Sequence, residues 1–363
     1  MVDLKNVKYF PILKTTDAEL KAFSNLDPDI KDNIVPVFEL TRSRRSKKNM
    51  DRDISKRLAG IKEVVDSRPF ILDLTTDKQL LNEQIVKILD THEGGFPLWV
   101  GLIEKWKNNG LNIIPIIHYD EQNIEDVQKE IMNLLRLSEF VAFRAPVNEA
   151  IEYIKQFNKM GVPFNKLILI LDADYIEPLG QPDKSHLFIS ELDMIINNFS
   201  SNMPQYIACA FSSFPDSVAK YGQDDKGGWI RYEKFTYNHL QERYHEKTCL
   251  HLVYSDYASV HPRRYDTAGG QWIPRVDFIT KDQMCYYRYR RDDGGYSLAA
   301  QLVQSDKKYI PIQTVSAWGD NEIRSAAEGE PHGSAPSHWI SVRINLYITR
   351  TVLELTARDR NPL

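Results

Sequence analysis

Residues 9–23, YFPILKTTDAELKAF, hold in miniature the pattern that decides the fold. The first six residues are an apolar run that ends in a lysine, as a strand does where the core gives way to water. Thr16-x-x-Glu19 follows, a capping-box pattern that predicts a helix start. Strand-length runs then recur as IVPVFEL (34–40), FILDL (70–74), IIPIIH (113–118), FVAFRA (140–145), LILILD (167–172), YIACAFS (206–212) and LHLVYSD (250–256). With the first, that makes eight. Helical stripes lie between them: Ile54, Leu58, Ile61 and Val65; Ile124, Val127, Ile131 and Leu134; Leu192, Ile195, Ile196 and Phe199. The stripe around 229–241 is the weakest.

Strands alternating with helices predict a parallel sheet, because a parallel return needs a long crossover. Eight units in about 250 residues match a (β/α)8 TIM-like barrel better than an open sheet. Neither GxGxxG nor GxxxxGK[ST] follows any strand, which removes the usual dinucleotide and P-loop readings. The words YFPILK, IVPVFE and IIPIIH form a weak internal repeat. Their prolines, Pro11, Pro36 and Pro115, are expected near strand starts or bulges, since proline cannot donate to a ladder.

The 363 residues are 42 % hydrophobic, enough for one large core, and a net charge of −4 gives no global attraction to nucleic acid or anionic lipid. Cys209, Cys249 and Cys285 have no CxxC spacing, so neither a disulfide framework nor a zinc knuckle is signalled. No leader pattern and no membrane-length apolar stretch is present, and a cytoplasmic location without membrane contact is expected.

After the eighth run the alternation stops. Residues 257–334 are polar, aromatic and glycine-rich, with a β-ribbon expected around 276–289. Ile340, Ile344, Ile348 and Val352 then mark the eighth helix. An insertion between the last strand and last helix emerges at the C-terminal mouth, where active sites of this fold lie, so 257–334 is expected to cover it.

The strand ends converge on that mouth. Glu39, Asp73 and Asp172 offer hard oxygen ligands for Mg²⁺ or Mn²⁺. His118, with Asp172 and neighbouring Asp174, supplies a candidate general base that activates water. Lys14 and Arg144 would hold an anionic group, with Ser212, Asp256, Arg288 and Trp318 as further ligand contacts. Lys14 also permits a pyridoxal-phosphate Schiff base. RSRRSKK (42–48), with Arg263, Arg264, Arg288, Arg290 and Arg291, would form a basic rim that meets phosphates, and Tyr286, Tyr287 and Tyr289 could stack on bases. His251 reads as a core histidine, and His332 and His338 as turn or packing residues.

The words KYFPILKTTDAELKAF, IKDNIVPVFEL, RPFILDLT, IPRVDF, YYRYR, WGD and SHWISVRIN occur in an order that resembles the beta-protein family, a phage-named family of bacterial and phage genomes. The likeness spans residues 9 to about 345. It implies a product of mobile or defence-associated loci, with a protein partner encoded nearby, and marks Lys14, Glu39, Asp73, Arg288, Trp318 and Trp339 as family-characteristic positions. It carries no catalytic signature. Members commonly end in a histidine-bearing helix word, whereas this chain has NLYITR (345–350).

The leading expectation is a defence-associated barrel that binds a phosphate-bearing ligand, a nucleotide or nucleic-acid end, at its mouth and hydrolyses it with a divalent metal. The alternative is a non-catalytic sensor or partner-binding subunit of an anti-phage system.

Overall fold

The computed structural model describes residues 4, 6–47, 49–245, 250–263 and 272–360. Eight strands form one parallel sheet: β1 (Tyr9–Lys14), β2 (Val37–Leu40), β3 (Phe70–Leu74), β4 (Ile113–Pro115), β5 (Val141–Pro146), β6 (Leu167–Tyr175), β7 (Tyr206–Ser212) and β9 (Leu252–Asp256). Their order is β4-β3-β2-β1-β9-β7-β6-β5. A single bridge, Ile116 with Ala142, and an Ile117 N–H to Ala142 carbonyl bond of 2.8 Å join the two edges. The sheet is therefore nearly closed, a TIM-like (β/α)8 barrel as the alternation predicts.

Successive strand residues face opposite sides. Phe10, Ile12, Val37, Ile71, Ile114, Ala142, Ile168, Ile170, Ala208, Ala210 and Val253 fill the barrel interior. The intervening residues pack against the helices. Pro36 precedes β2 as expected, but Pro11 lies inside β1. It is tolerated where the β9 register, Tyr9 to Pro11, gives way to the β2 register that starts at Ile12.

Buried glutamates on the helices tie down backbone N–H groups. Glu19, on the helix Asp17–Ser24, accepts from the Lys14 N–H at 2.9 Å. Glu130, on Ile124–Leu137, accepts from the His118 N–H at 3.0 Å. Glu233, on Tyr232–Tyr244, takes the Ser213 N–H. Glu191 does the same for Ile151, at the start of the helix Ala150–Lys159. The expected capping box is altered accordingly: Thr16 makes no cap bond to the backbone and donates its hydroxyl to Glu19 instead.

The insertion is more elaborate than a cover. β10 (Arg275–Ile279) and β11 (Gln283–Arg288) form the expected ribbon, and β11 also pairs with β8 (Lys226–Ile230), a strand the sequence does not announce. β8 reads KGGWI, and its glycines are steric necessities: a Cβ on Gly227 would lie 2.6 Å from the Tyr286 hydroxyl, and one on Gly228 would lie 2.5 Å from the Met284 carbonyl. This small sheet and the helices Gly295–Ser305 and Trp318–Ala327 pack beside the final helix, Pro336–Arg360. Among the described residues, the short strap 257–263 is the part of the insertion that lines the mouth.

Candidate functional site at the barrel mouth

One step of two above the apolar interior, the inward positions turn polar. Lys14 follows Ile12, Glu39 follows Val37, Asp73 follows Ile71, Arg144 follows Ala142 and Asp172 follows Ile170. Arg144 is the hub. It meets Glu39 Oε1 at 2.7 Å, Asp73 Oδ2 at 3.1 Å and Asp172 Oδ2 at 2.7 Å, and donates to the Tyr257 hydroxyl at 2.6 Å. Tyr257 in turn donates to Asp172 at 2.7 Å. Lys14 lies 3.3 Å from Glu39 Oε2 and donates to the Pro262 carbonyl.

Burial and pairing compete at each carboxyl. Burial opposes ionisation of Glu39, but Lys14 and Arg144 together hold it down at about 2. At Asp73 burial wins over Arg144, and its carboxyl rises above the ordinary range. Arg144 is held charged against burial by Tyr257 and its three carboxylates.

His118 stands beside this network. Its Nδ1 lies 2.9 Å from Glu130 Oε1, its ring stacks on Phe96 at 5.4 Å and meets Trp99 edge-on at 5.0 Å. Nε2 is buried without a hydrogen-bond partner among the described residues.

The strap divides the mouth. Tyr257 anchors one end, Val260 accepts from the Ser212 hydroxyl at 2.8 Å, and Arg263 forks onto Asp174. Ala258, Ser259 and Asp174 all have positive φ, at 46°, 64° and 56°, so the strap and its mooring are held in left-handed backbone without glycine.

On one side lies a cavity of about 1380 Å³ lined by seven carboxylates, Glu39, Asp73, Asp77, Asp90, Asp120, Asp172 and Asp174, against three cations, Lys78, Arg144 and Arg263. On the other lies one of about 790 Å³ lined by Lys14 and seven arginines, Arg42, Arg44, Arg45, Arg52, Arg57, Arg263 and Arg343, against Asp17, Glu19 and Asp216. Arg343, on the last helix, is 5 % exposed. It has a long 3.4 Å contact to Asp277, lies over the Phe214 ring at 4.3 Å, and leaves Nε unpartnered. Burial pulls its guanidinium down to about 10.

The residues expected at the mouth thus divide. Lys14, Glu39, Asp73, His118, Arg144, Asp172 and Asp174 line the two cavities, and Ser212 moors the strap. Asp256 faces the helix layer, where it accepts from the hydroxyls of Tyr9, Tyr254 and Tyr347. Arg288 is on the small sheet, bonded to the Asp224 carbonyl, and Trp318 packs on His338 with Lys21 over its ring. Of the expected basic rim, Arg42, Arg44, Arg45 and Arg263 converge, while Lys48 and Arg264, like Cys249, lie outside the described residues. Tyr257, Glu130 and Arg343 were not expected. Period two from Val253 through Ser255 points to Tyr257, and Glu130 interrupts the apolar stripe of its helix between Val127 and Ile131.

The carboxylates expected to hold Mg²⁺ or Mn²⁺ do not present oxygens to a shared vacant point. Each turns one oxygen to Arg144, and the second oxygens of Asp73 and Asp172 accept the Leu74 and Asp174 N–H groups. Among the described residues, no group of three or more His, Cys, Asp or Glu is arranged to hold a metal. The donor set does not fit the ion. Nor is any described helix long and apolar enough to cross a membrane.

The chain is similar over 97 % of its length to Protein beta of Enterobacteria phage P4, 94 % of which is covered at 27 % identity. Among solved structures it superposes with a TM-score of 0.40 and 9 % identity on the biosynthetic arginine decarboxylase SpeA from Campylobacter jejuni, covering 96 % of this chain and only 57 % of that one. XacCel5A in complex with cellopentaose gives 0.32 and 12 % identity, over 61 % of this chain and 74 % of that one. Residues 9–353 match the model of the Beta protein family, and the chain belongs to that family.

Proposed function

We propose that the protein recognises a phosphate-bearing ligand, a nucleotide or a nucleic-acid end, in the arginine-lined half of its barrel mouth. The observation that carries this reading is the concentration of seven arginines and Lys14 around one 790 Å³ cavity in a chain whose net charge is −4. Arg44, Arg45 and Arg52 make no ion pair among the described residues, so their donors are available to a ligand. Guanidinium forks match phosphate oxygens in geometry, and a cleft of one sign raises the local concentration of an anion. Arg343 adds a buried, under-bonded cation to the wall.

Recognition fits better than metal-assisted hydrolysis, because the mouth carboxylates are committed to Arg144. This supports a sensor-like role over the hydrolase. Titration calorimetry with inorganic pyrophosphate, ATP and a 5′-phosphorylated oligonucleotide tests it. Affinity is expected to fall with salt, and to drop about tenfold or more in the Arg44→Ala/Arg45→Ala/Arg52→Ala variant. Equal affinity in the variant and the parent would overturn the assignment.

A further inference from the structure

The arginine-lined cavity differs between its rim and its wall. Arg44 and Arg45 are exposed at the edge, whereas Arg343, delivered by the last helix, is 5 % exposed. The three nitrogens of that guanidinium have different surroundings. Nε is sealed without a partner, and Nη1 reaches Asp277 only at 3.4 Å, a carboxylate that also takes Arg275 at 3.0 Å. Nη2 has no partner among the described residues and is not sealed, so its donors stay open where Arg343 lines the cavity. With one carboxylate between two guanidiniums, the charge of Arg343 is not balanced from behind.

Backbone donors line the same cavity. The helix Asp17–Ser24 starts there, and Thr16, Asp17, Ala18 and Glu19 all contribute to the lining. Thr16 gives its hydroxyl to Glu19 and caps nothing, so the N–H groups of Asp17, Ala18 and Glu19 have no partner among the described residues. The last helix, Pro336–Arg360, packs beside it and brings the Ser337 N–H, equally without a partner among them, to this cavity. Uncapped helix starts attract anions through their free amides and dipole. Here two of them share a cavity with an open, buried guanidinium. The nearby carboxylates are engaged: Asp17 pairs with Arg57, and Glu19 accepts the Lys14 N–H and the Thr16 hydroxyl.

These recessed donors suit a different phosphate from the one that exposed rim arginines can hold. A phosphodiester within a chain carries one charge and is flanked by a sugar on each side, which keeps it at the rim. A terminal phosphate projects, carries nearly two charges at neutral pH and offers three oxygens, enough for Nη2 and helix amides at once.

We propose that this wall seats a terminal phosphomonoester, gripped by Arg343 Nη2 and the first-turn amides of Asp17–Ser24, while the rim arginines meet whatever phosphates follow. The ligand class is thereby narrowed to mononucleotides and phosphate-terminated ends, as opposed to internal stretches of nucleic acid. This inference rests on the phosphate reading of the cavity and gives the ligand an orientation within it.

Titration calorimetry on the full-length protein tests it with a tetrathymidylate phosphorylated at its 5′ end, at its 3′ end or at neither. One phosphorylated form is expected to bind at least about tenfold more tightly than the form with two hydroxyl ends. Asp17→Pro and Asp17→Ala both remove the Asp17 carboxylate, but only the proline lacks the N–H, and the extended backbone of Thr16, with ψ 161°, accepts a proline after it. The proline variant should show a terminal-phosphate preference about fivefold or more below that of the alanine variant. Arg343→Lys should reduce the preference likewise, with its fold checked by circular dichroism. Arg44→Ala/Arg45→Ala/Arg52→Ala should weaken all three oligonucleotides and keep their ratio. Equal binding of the three by the parent, or equal preference in Asp17→Pro and Asp17→Ala, would overturn the inference and leave the cavity a phosphate site. Failure of every phosphorylated probe, pyrophosphate included, to bind the parent would instead remove the phosphate reading, and this inference with it.

Discussion

The two halves of the mouth are built from the same residue types by different means. In the acidic half the paired charges at the centre, Glu39, Asp73, Arg144 and Asp172, are carried by strands at inward positions fixed by the pleat, and Arg144 is consumed by the three carboxylates and a tyrosine. In the basic half most cations come from the loop and helix after β2, and Arg44, Arg45 and Arg52 pair with no carboxylate among the described residues. Strand-borne charge here is structural capital held in mutual pairing, whereas loop-borne charge stays open to a ligand. Substitutions on the first side should therefore cost stability, and those on the second should cost binding.

The sharpest test is Arg144→Met. Removing the hub leaves three buried carboxyls without their cation, and urea unfolding should register a loss of about 3–5 kcal/mol. Pyrophosphate affinity in the folded protein should stay close to that of the parent. A loss below about 1 kcal/mol would mean that water replaces the guanidinium, and the distinction between the halves would fail.

Glu39→Gln comes next. With its carboxyl held down at about 2 against an ordinary 4.5, Glu39 binds fewer protons folded than unfolded between those values. Its contribution is complete above pH 4.5 and is lost as the pH falls toward 2, to the extent of roughly 3 kcal/mol. The variant should be less stable at pH 7 and show a flatter acid limb. Asp73 has the opposite sign: burial raises its carboxyl, so its contribution is present at low pH and fades as the pH rises through that raised value. Asp73→Asn should gain on the parent with rising pH.

Tyr257→Phe removes one bond to Asp172 and one from Arg144, and is expected to cost about 1–3 kcal/mol in the same assay without altering pyrophosphate binding. The smallest effect belongs to the other half. Arg44→Ala and Arg45→Ala should each leave stability within about 0.5 kcal/mol of the parent, since both side chains are exposed.

The strand-borne half was the more legible in the sequence. A charged residue two places beyond an interior apolar one has a defined direction, and so Lys14, Glu39, Asp73, Arg144 and Asp172 could be placed at the mouth from period two alone. The same rule misassigns Asp256 when the last polar residue of a run is taken without its parity. Val253 faces inward, so Asp256 faces out to three tyrosines and Tyr257 takes the inward place. That Arg144 reaches Glu39, Asp73 and Asp172 at once is not legible in the sequence, because cross-strand partners are set by the stagger of the barrel rather than by any local spacing. Arg343 was beyond reach for a similar reason. It joins the arginine cavity from the last helix, almost 300 residues after Arg42–Arg57. β8 escaped notice because its glycines, which read as loop, are there to admit Tyr286 and the β11 backbone.

The buried glutamates bear on how such a protein can change. Three of them hold the backbone just at or beyond the C-terminal end of a strand from beneath, through helices that lie outside the mouth. The loops above are thereby relieved of the task of positioning those ends. Segments at the rim can be exchanged, lengthened or recoded for a new ligand while the strand termini stay in register, which makes this face of the barrel a fixed socket for interchangeable fittings.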